Sequence, residues 1–354
     1  QALGAANIAA LDTAALSGLG TNQIVALTTD QTAALTTDQI QALSGRQVAA
    51  FETVDLNSLT SDQVAALTGG QVGALTQFQV GRLGTAQLAA IETNDLQVMR
   101  TSQLAALTTG QVGGFTTDQI GSFLATQMSG FGTAQLAALS TDQVDALSTS
   151  QLAALRAAQF RSLTTTQISA LLTDQVRGLT NGALAALSTD QARAFTTDQV
   201  QAFTTHQISS LGTGTVAALT TDQLGTLTTD QVVALTKPAI HALTTSQLLG
   251  LSTGQIAAIE TVDLAGMTSE QLNALATDQV AAFTTAQVAA LTAIQVSQLD
   301  VDQIAAFRTD HIAAMSSRQL KSLTGDQMAA LTTDQVVSIE TADFRQLGAT
   351  QLQA

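Results

Sequence analysis

Three histidines and a row of aspartates are the side chains in this sequence best suited to bind a ligand. His206, His241 and His311 lie far apart in the chain, and their spacing matches no pattern of metal ligands. The aspartates recur at separations that are multiples of eight residues, and clustered carboxylates bind hard cations. Ca²⁺ binding is therefore the one cofactor hypothesis that the sequence leaves open. Its candidate ligands are Asp30, Asp38, Asp118, Asp222, Asp230 and Asp334.

The other polar residues form no catalytic pattern. Ser and Thr are abundant, but none stands beside a base that would activate it as a nucleophile. The pair Gly69-Gly70 lacks the Lys of a phosphate-binding loop. There is no Cys, and the net charge of −15 opposes binding to nucleic acid and to anionic membranes. We therefore expect neither an enzyme nor a nucleic-acid partner.

An eight-residue repeat organises the whole chain. Written a to h, with a at Leu3 and every eighth residue to Leu347, the repeat runs for 44 octads without an insertion. Position a is always Leu, Phe, Ile or Met, and f is large and apolar except at Thr32 and Ala192. Position e is Gln in 34 of the 44 octads, and g and h are mostly small. Residues 1–354 are therefore expected to form one continuous array.

The period of eight favours a short helix that restarts in every octad. In a continuous helix, eight residues advance about 80° beyond two full turns, so the a residues would form no stripe. In a strand, the odd spacings from a to f and from f to the next a would place large residues on opposite faces. We predict about seven helical residues per octad.

Residues of the kind that cap helices support a helix that begins again in each octad. Thr28 and Gln31 form a capping-box pattern from b to e, which recurs along the chain. Asp at d would lie in the first turn, where the helix dipole stabilises a negative charge, and this alone accounts for the aspartate row. The only proline, Pro238, also falls at d.

Two features of the repeat allow more than one interpretation. Gln at e is either a helix cap or a buried link between layers. Four octads carry Glu at b and Asp at e, and there Thr at c is expected to cap one residue later: Glu52/Asp55, Glu92/Asp95, Glu260/Asp263 and Glu340/Asp343. Acidic b residues also recur 40 residues apart, which reflects either duplication of five octads or the superhelical turn.

Helices this short are unstable alone and must stack on their neighbours. The a and f residues, three apart, would then form a shared axial core. The fold class predicted is all-α: a solenoid of short capped two-turn helices, one per repeat. An ice-binding face on the Thr row would require flat ladders, which rows of helix N-termini are not expected to provide.

Phrases such as Leu331-Thr-Thr-Asp-Gln-Val-Val resemble the LTTxQVxAL arrays of very large proteobacterial surface proteins of the adhesin type. The resemblance extends over the whole chain and implies secretion or a place on the bacterial cell surface. Gln1 and Ala354 both lie inside the pattern, so we expect an excerpt of a longer repeat protein. No run of 18 apolar residues predicts membrane insertion.

These observations predict a structural, non-catalytic protein. The leading hypothesis is an extracellular fibre, stalk or filament that self-associates into rods. The alternative is an adhesin-type binding scaffold, whose outer Thr and Asp rows engage cations, glycans or a partner protein.

Overall fold

The computed structural model describes residues 3–353, all of whose regular elements are helices, one in each octad. The chain divides into two compact units, Gln1–Ala186 and Leu187–Ala354. The helices of the first unit are Ala5–Ala9, Thr13–Ser17, Thr21–Val25, Thr29–Ala33, Thr37–Ala42, Gly45–Val48, Thr53–Asn57, Ser61–Ala65, Gly69–Ala74, Gln77–Val80, Thr85–Ala90, Thr93–Leu96, Thr101–Ala105, Thr109–Gly113, Thr117–Ser122, the 3₁₀ helix Ala125–Gly130, Thr133–Ala137, Thr141–Asp145, Thr149–Ala153, Ala157–Arg161, Thr165–Ala170, Thr173–Arg177 and Asn181–Ala185.

The second unit repeats the same arrangement. Its helices are Thr189–Ala194, Thr197–Ala202, Thr205–Ser210, Thr213–Ala218, Thr221–Gly225, Thr229–Val233, Lys237–His241, Thr245–Leu249, Thr253–Ala258, Thr261–Leu264, Ser269–Asn273, Thr277–Ala281, Thr285–Ala290, Ala293–Gln298, Val301–Ala305, Thr309–Ala313, Ser317–Leu320, Gly325–Ala329, Thr333–Val337, Thr341–Phe344 and Ala349–Leu352.

The helices are shorter than the seven residues predicted, because the chain at the corner between them includes extended residues. The helix Thr37–Ala42, for example, is preceded by Thr36 at ψ 161° and followed by Leu43 at ψ 138°. Each helix therefore has four to six residues. An octad consists of one to two helical turns followed by a sharp corner, and it is the corner that lets the next helix change direction.

Within each unit the helices wind into a solenoid. Each helix packs most closely on the third helix along the chain, as Thr117–Ser122 does on Thr141–Asp145. Hydrogen bonds from e residues reach the end of the fourth helix back, 28 to 31 residues earlier. One superhelical turn therefore takes between three and four octads. Residues 40 apart are not in adjacent turns, so the five-octad spacing does not correspond to the superhelical turn.

The core of each unit is the predicted one. Most side chains at a and f are buried, including Leu152 at f and Leu155 at a. Phe115, Phe123 and Phe131, at a in successive octads, pack edge to face with ring centroids 5.5 and 5.3 Å apart. Such contacts add to the burial energy of the rings. The sequence prediction that these phenylalanines enlarge the core is therefore confirmed.

Candidate functional site: the glutamine ladder

Most of the polar side chains at position e are buried beside the apolar core. Each lies at the third residue of its helix, where the backbone N–H groups have no partner within the helix. Gln151, in the helix Thr149–Ala153, keeps only 1% of its surface exposed. A side chain buried to this extent must form hydrogen bonds at both ends of its amide, since an unpaired buried polar group is costly.

Gln151 meets this requirement by bonding in two directions. Its Oε1 accepts from the backbone N–H of Ser148 at 2.7 Å, and the backbone N–H of Gln151 donates to Ser148 Oγ at 3.2 Å. This is the capping box. Its Nε2 donates to the carbonyls of Ile120 and Phe123, both at 2.8 Å. Those carbonyls end the helix Thr117–Ser122, four helices earlier, so one side chain caps its own helix and binds the previous turn.

The arrangement recurs in both units, and we call it the glutamine ladder: the Gln side chains at position e with the carbonyls they bind. In the second unit, Gln223 Nε2 donates to the carbonyls of Ala192 and Phe195 at 3.1 and 2.6 Å. Both interpretations of Gln at e are therefore correct at once. The sequence signal was that Gln is more uniform at e than capping alone requires.

His311 replaces Gln at e and makes the same contacts. Its Nδ1 accepts from the backbone N–H of Arg308 at 3.3 Å, and its Nε2 lies 2.7 Å from the carbonyl oxygen of Phe283. This pairing requires the neutral ring with hydrogen on Nε2. Burial is the main cause that lowers the pKa of His311 below 6.5. The other two histidines, His206 and His241, are exposed.

The four octads with Glu at b and Asp at e are built differently. Their helices begin at the same place as all others, with Glu at the N-cap and Thr as the first helical residue. The prediction that Thr53, Thr93, Thr261 and Thr341 cap one residue later is therefore wrong. The a and f residues fix the phase of the core, so the helix start cannot move with the local sequence.

The shorter Asp side chain contacts the start of a helix instead of the end of one. Asp55 Oδ1 accepts from Thr29 Oγ1 at 2.8 Å, at the N-terminus of the helix three octads earlier. Asp343 accepts from Ser317 in the same way. Burial raises the pKa of Asp95, although the N–H of Gly69 opposes the shift. Burial and Glu260 also raise the pKa of Asp263, which Lys237 partly offsets.

The predicted Ca²⁺ ligands are separated from one another. All six are exposed in the first turns of their helices, and no two lie in octads three or four apart: Asp30, Asp38, Asp118, Asp222, Asp230 and Asp334. Among residues 3–353, no three His, Asp or Glu side chains come together in a group that could hold a metal ion. Their position fits the helix-dipole explanation.

One serine has the surroundings of a catalytic motif but the role of a cap. Residues Gly250 to Gly254 read Gly-Leu-Ser-Thr-Gly, which matches the nucleophile elbow of hydrolases. That elbow follows a strand, whereas Ser252 follows the helix Thr245–Leu249. Its Oγ accepts from the N–H of Gln255 at 3.3 Å. Ser252 is thus an ordinary N-cap of this solenoid.

Comparison with known families identifies the repeat. A family model described as the ALTTAQ repeat matches at residues 1–29, 8–45, 48–85, 88–123, 125–157, 146–181, 173–205, 205–237, 256–293 and 304–338. Together these matches cover most of the chain. The chain belongs to the ALTTAQ-repeat family. The final Gln of the ALTTAQ motif corresponds to position e, so the ladder residue is part of the repeat that defines the family.

No match was found among the curated proteins. Within the part of the ALTTAQ array that the structure describes, no helix is long and apolar enough to cross a membrane.

Proposed function

We propose that this ALTTAQ array is a structural element of a secreted or surface-exposed bacterial protein, in which it forms a fibre, stalk or filament. The observation that carries the proposal is how the polar side chains are used. Thr and Ser at b cap helices, and Gln at e joins successive turns, as Ser148 and Gln151 do. Such a pattern adds length and stability with each repeat, and it fits a mechanical rather than a catalytic role.

Self-association into rods is part of the proposal. Some octads carry a large apolar side chain at position d, outside the core and exposed, namely Val54, Phe78, Val262 and Ile294. Contact with a second molecule would bury these side chains, and apolar burial drives association.

Electron microscopy of the purified chain over a range of concentrations tests this role. We expect thin rods that lengthen as concentration rises. The double variant Phe78→Glu, Ile294→Glu should reduce lengthening because it places charges on this apolar surface, whereas the matched surface variant Asp230→Asn should not. Compact particles at every concentration, or lengthening that is unaffected by the double variant, would contradict the proposal.

The second candidate is an adhesin-type binding scaffold. The observation that favours it is the outer surface, where Asp at d is exposed in octad after octad, as at Asp222 and Asp230. Titration calorimetry with CaCl₂ and screening on a glycan array test this candidate. Saturable binding that is lost when Asp222 and Asp230 are both changed to Asn would favour the scaffold. Absence of binding at millimolar Ca²⁺ and on all glycans would exclude these two ligand classes.

A further inference from the structure

The glutamine ladder has gaps, and three of them lie on helices that stack on one another. In the second unit, position e is Thr215, Ala239 and Asp263 in three helices that follow one another at intervals of 24 residues. These helices are Thr213–Ala218, Lys237–His241 and Thr261–Leu264, and each packs on the next. We call these three helices the seam.

The carbonyls that a Gln at positions 239 and 263 would bind lack the side-chain amide donor that the ladder supplies elsewhere. In the ladder, Gln at e donates to the carbonyls 31 and 28 residues earlier. A Gln at position 239 would therefore donate to the carbonyls of Ile208 and Leu211, and a Gln at position 263 to those of Val232 and Leu235. Within residues 3–353, no side chain donates to the carbonyl of Leu211 or Leu235, although both residues are buried. For comparison, Gln247 donates to Leu219 at 2.6 Å and Gln255 to Leu227 at 2.8 Å.

The residues present at the seam do not replace these bonds. Ala239 has no polar side chain, and its helix begins with Lys237 and Pro238, without a side-chain cap. The carboxyl of Asp263 is close enough to Lys237, at the start of the preceding stacked helix, for that positive charge to lower its pKa. An ionised carboxylate has no N–H to donate, so Asp263 gives the carbonyls of Leu235 and Val232 no amide.

We infer that the seam is a built-in opening point, where the turns of the second unit separate first. Elsewhere in this unit, gaps are isolated: Asp343 is stacked on the octads of His311 and Gln319, both of which keep their ladder bonds. An isolated gap is held closed by the turns on either side. Three stacked gaps remove that support from a continuous line of helices. The inference concerns local stability and holds whichever proposed function is correct.

Hydrogen exchange of the full chain, followed by mass spectrometry, tests the inference. Amides of the seam helices should exchange faster than those of the stacked helices Ser269–Asn273 and Ala293–Gln298. The variant Ala239→Gln restores the common residue in the middle of the seam. It should slow exchange of seam amides about three- to tenfold, as expected for one or two added hydrogen bonds. Asp263→Gln tests the same point at a neighbouring gap.

The matched control removes one Gln of the ladder at a place where the Gln residues of the stacked helices are all present. Gln303 Nε2 donates to Leu272 and Leu275 at 3.0 and 2.8 Å, and positions e three and four octads away are all Gln. Gln303→Ala should speed exchange around Leu275 without reaching the rate of the seam. Seam amides that exchange as slowly as the rest of the unit in the unmodified chain would overturn the inference. So would equal opening in Gln303→Ala and at the seam.

Discussion

At the scale of single residues, the octad assigns each position one physical task, and exceptions show what the task is. Thr32 stands at f, where the core requires an apolar side chain, and it is completely buried. Its hydroxyl has no hydrogen-bond partner in the structure. His311 stands at e and succeeds because a neutral imidazole can accept and donate as an amide does. Position f therefore requires an apolar side chain, and position e requires a side chain that can both accept and donate a hydrogen bond.

Thr32→Val should stabilise the first unit by about 1–3 kcal/mol, since it replaces a buried unpaired hydroxyl by a methyl group of the same shape. Hydrogen exchange of the helix Thr29–Ala33 measures the gain locally. The reverse change, Val232→Thr, is the matched control and should cost a similar amount around Val232. A loss of stability in Thr32→Val would mean that the hydroxyl has a partner.

Stability should depend on pH through His311. Because the folded pKa lies below 6.5, the unfolded chain binds the proton first as pH falls, and the folded state loses stability below about pH 6.5. Above that pH the ring is neutral in both states and has no such effect. Arg308 lowers the pKa further, while Asp310 raises it.

The variant His311→Gln isolates this effect, because Gln makes the same contacts without titrating. Thermal melting by circular dichroism at pH 7.5 and pH 5 should show a difference between variant and parent that grows in favour of the variant at low pH. A difference that stays constant across this range would show that His311 does not titrate with folding.

At the scale of the helix, much of the structure could be predicted and the partners between turns could not. The capping boxes, as at Thr28 and Gln31, and the place of Pro238 in the first turn follow from local rules. Helix length was overestimated because the corner includes extended residues. The carbonyls that Gln151 binds lie 28 and 31 residues earlier, a distance set by the packing angle between helices. No local pattern encodes that angle.

Gln223→Ala separates capping from the ladder. Loss of a cap alone would cost about 0.5–2 kcal/mol. We expect a larger loss, about 3 kcal/mol, because the change also leaves the carbonyls of Ala192 and Phe195 without their amide. The local free energy of opening from native-state hydrogen exchange measures it. Thr220→Val, which removes only the capping hydroxyl, is the control; equal losses in the two variants would contradict the ladder.

At the scale of the whole molecule, stability comes from neighbouring turns and not from a single large core. Helices of four to six residues have no stability of their own in water. Each contributes two large apolar side chains and one amide to the turn beside it, and the same bonds recur in both units. Stability of this kind depends on contacts between near neighbours, as in other repeat proteins. Sequence-local variants should therefore act on a few turns and leave distant octads unchanged.

The distance between adjacent turns tests the central claim most directly. The chain has no Cys, so Asp118→Cys and Asp142→Cys introduce the only two spin-label sites. Both residues are exposed and 24 residues apart, on the stacked helices Thr117–Ser122 and Thr141–Asp145. Packed helices are about 10 Å apart, so electron paramagnetic resonance should give a label separation below about 20 Å. A separation near 36 Å, as in a continuous helix of 24 residues, would contradict the solenoid.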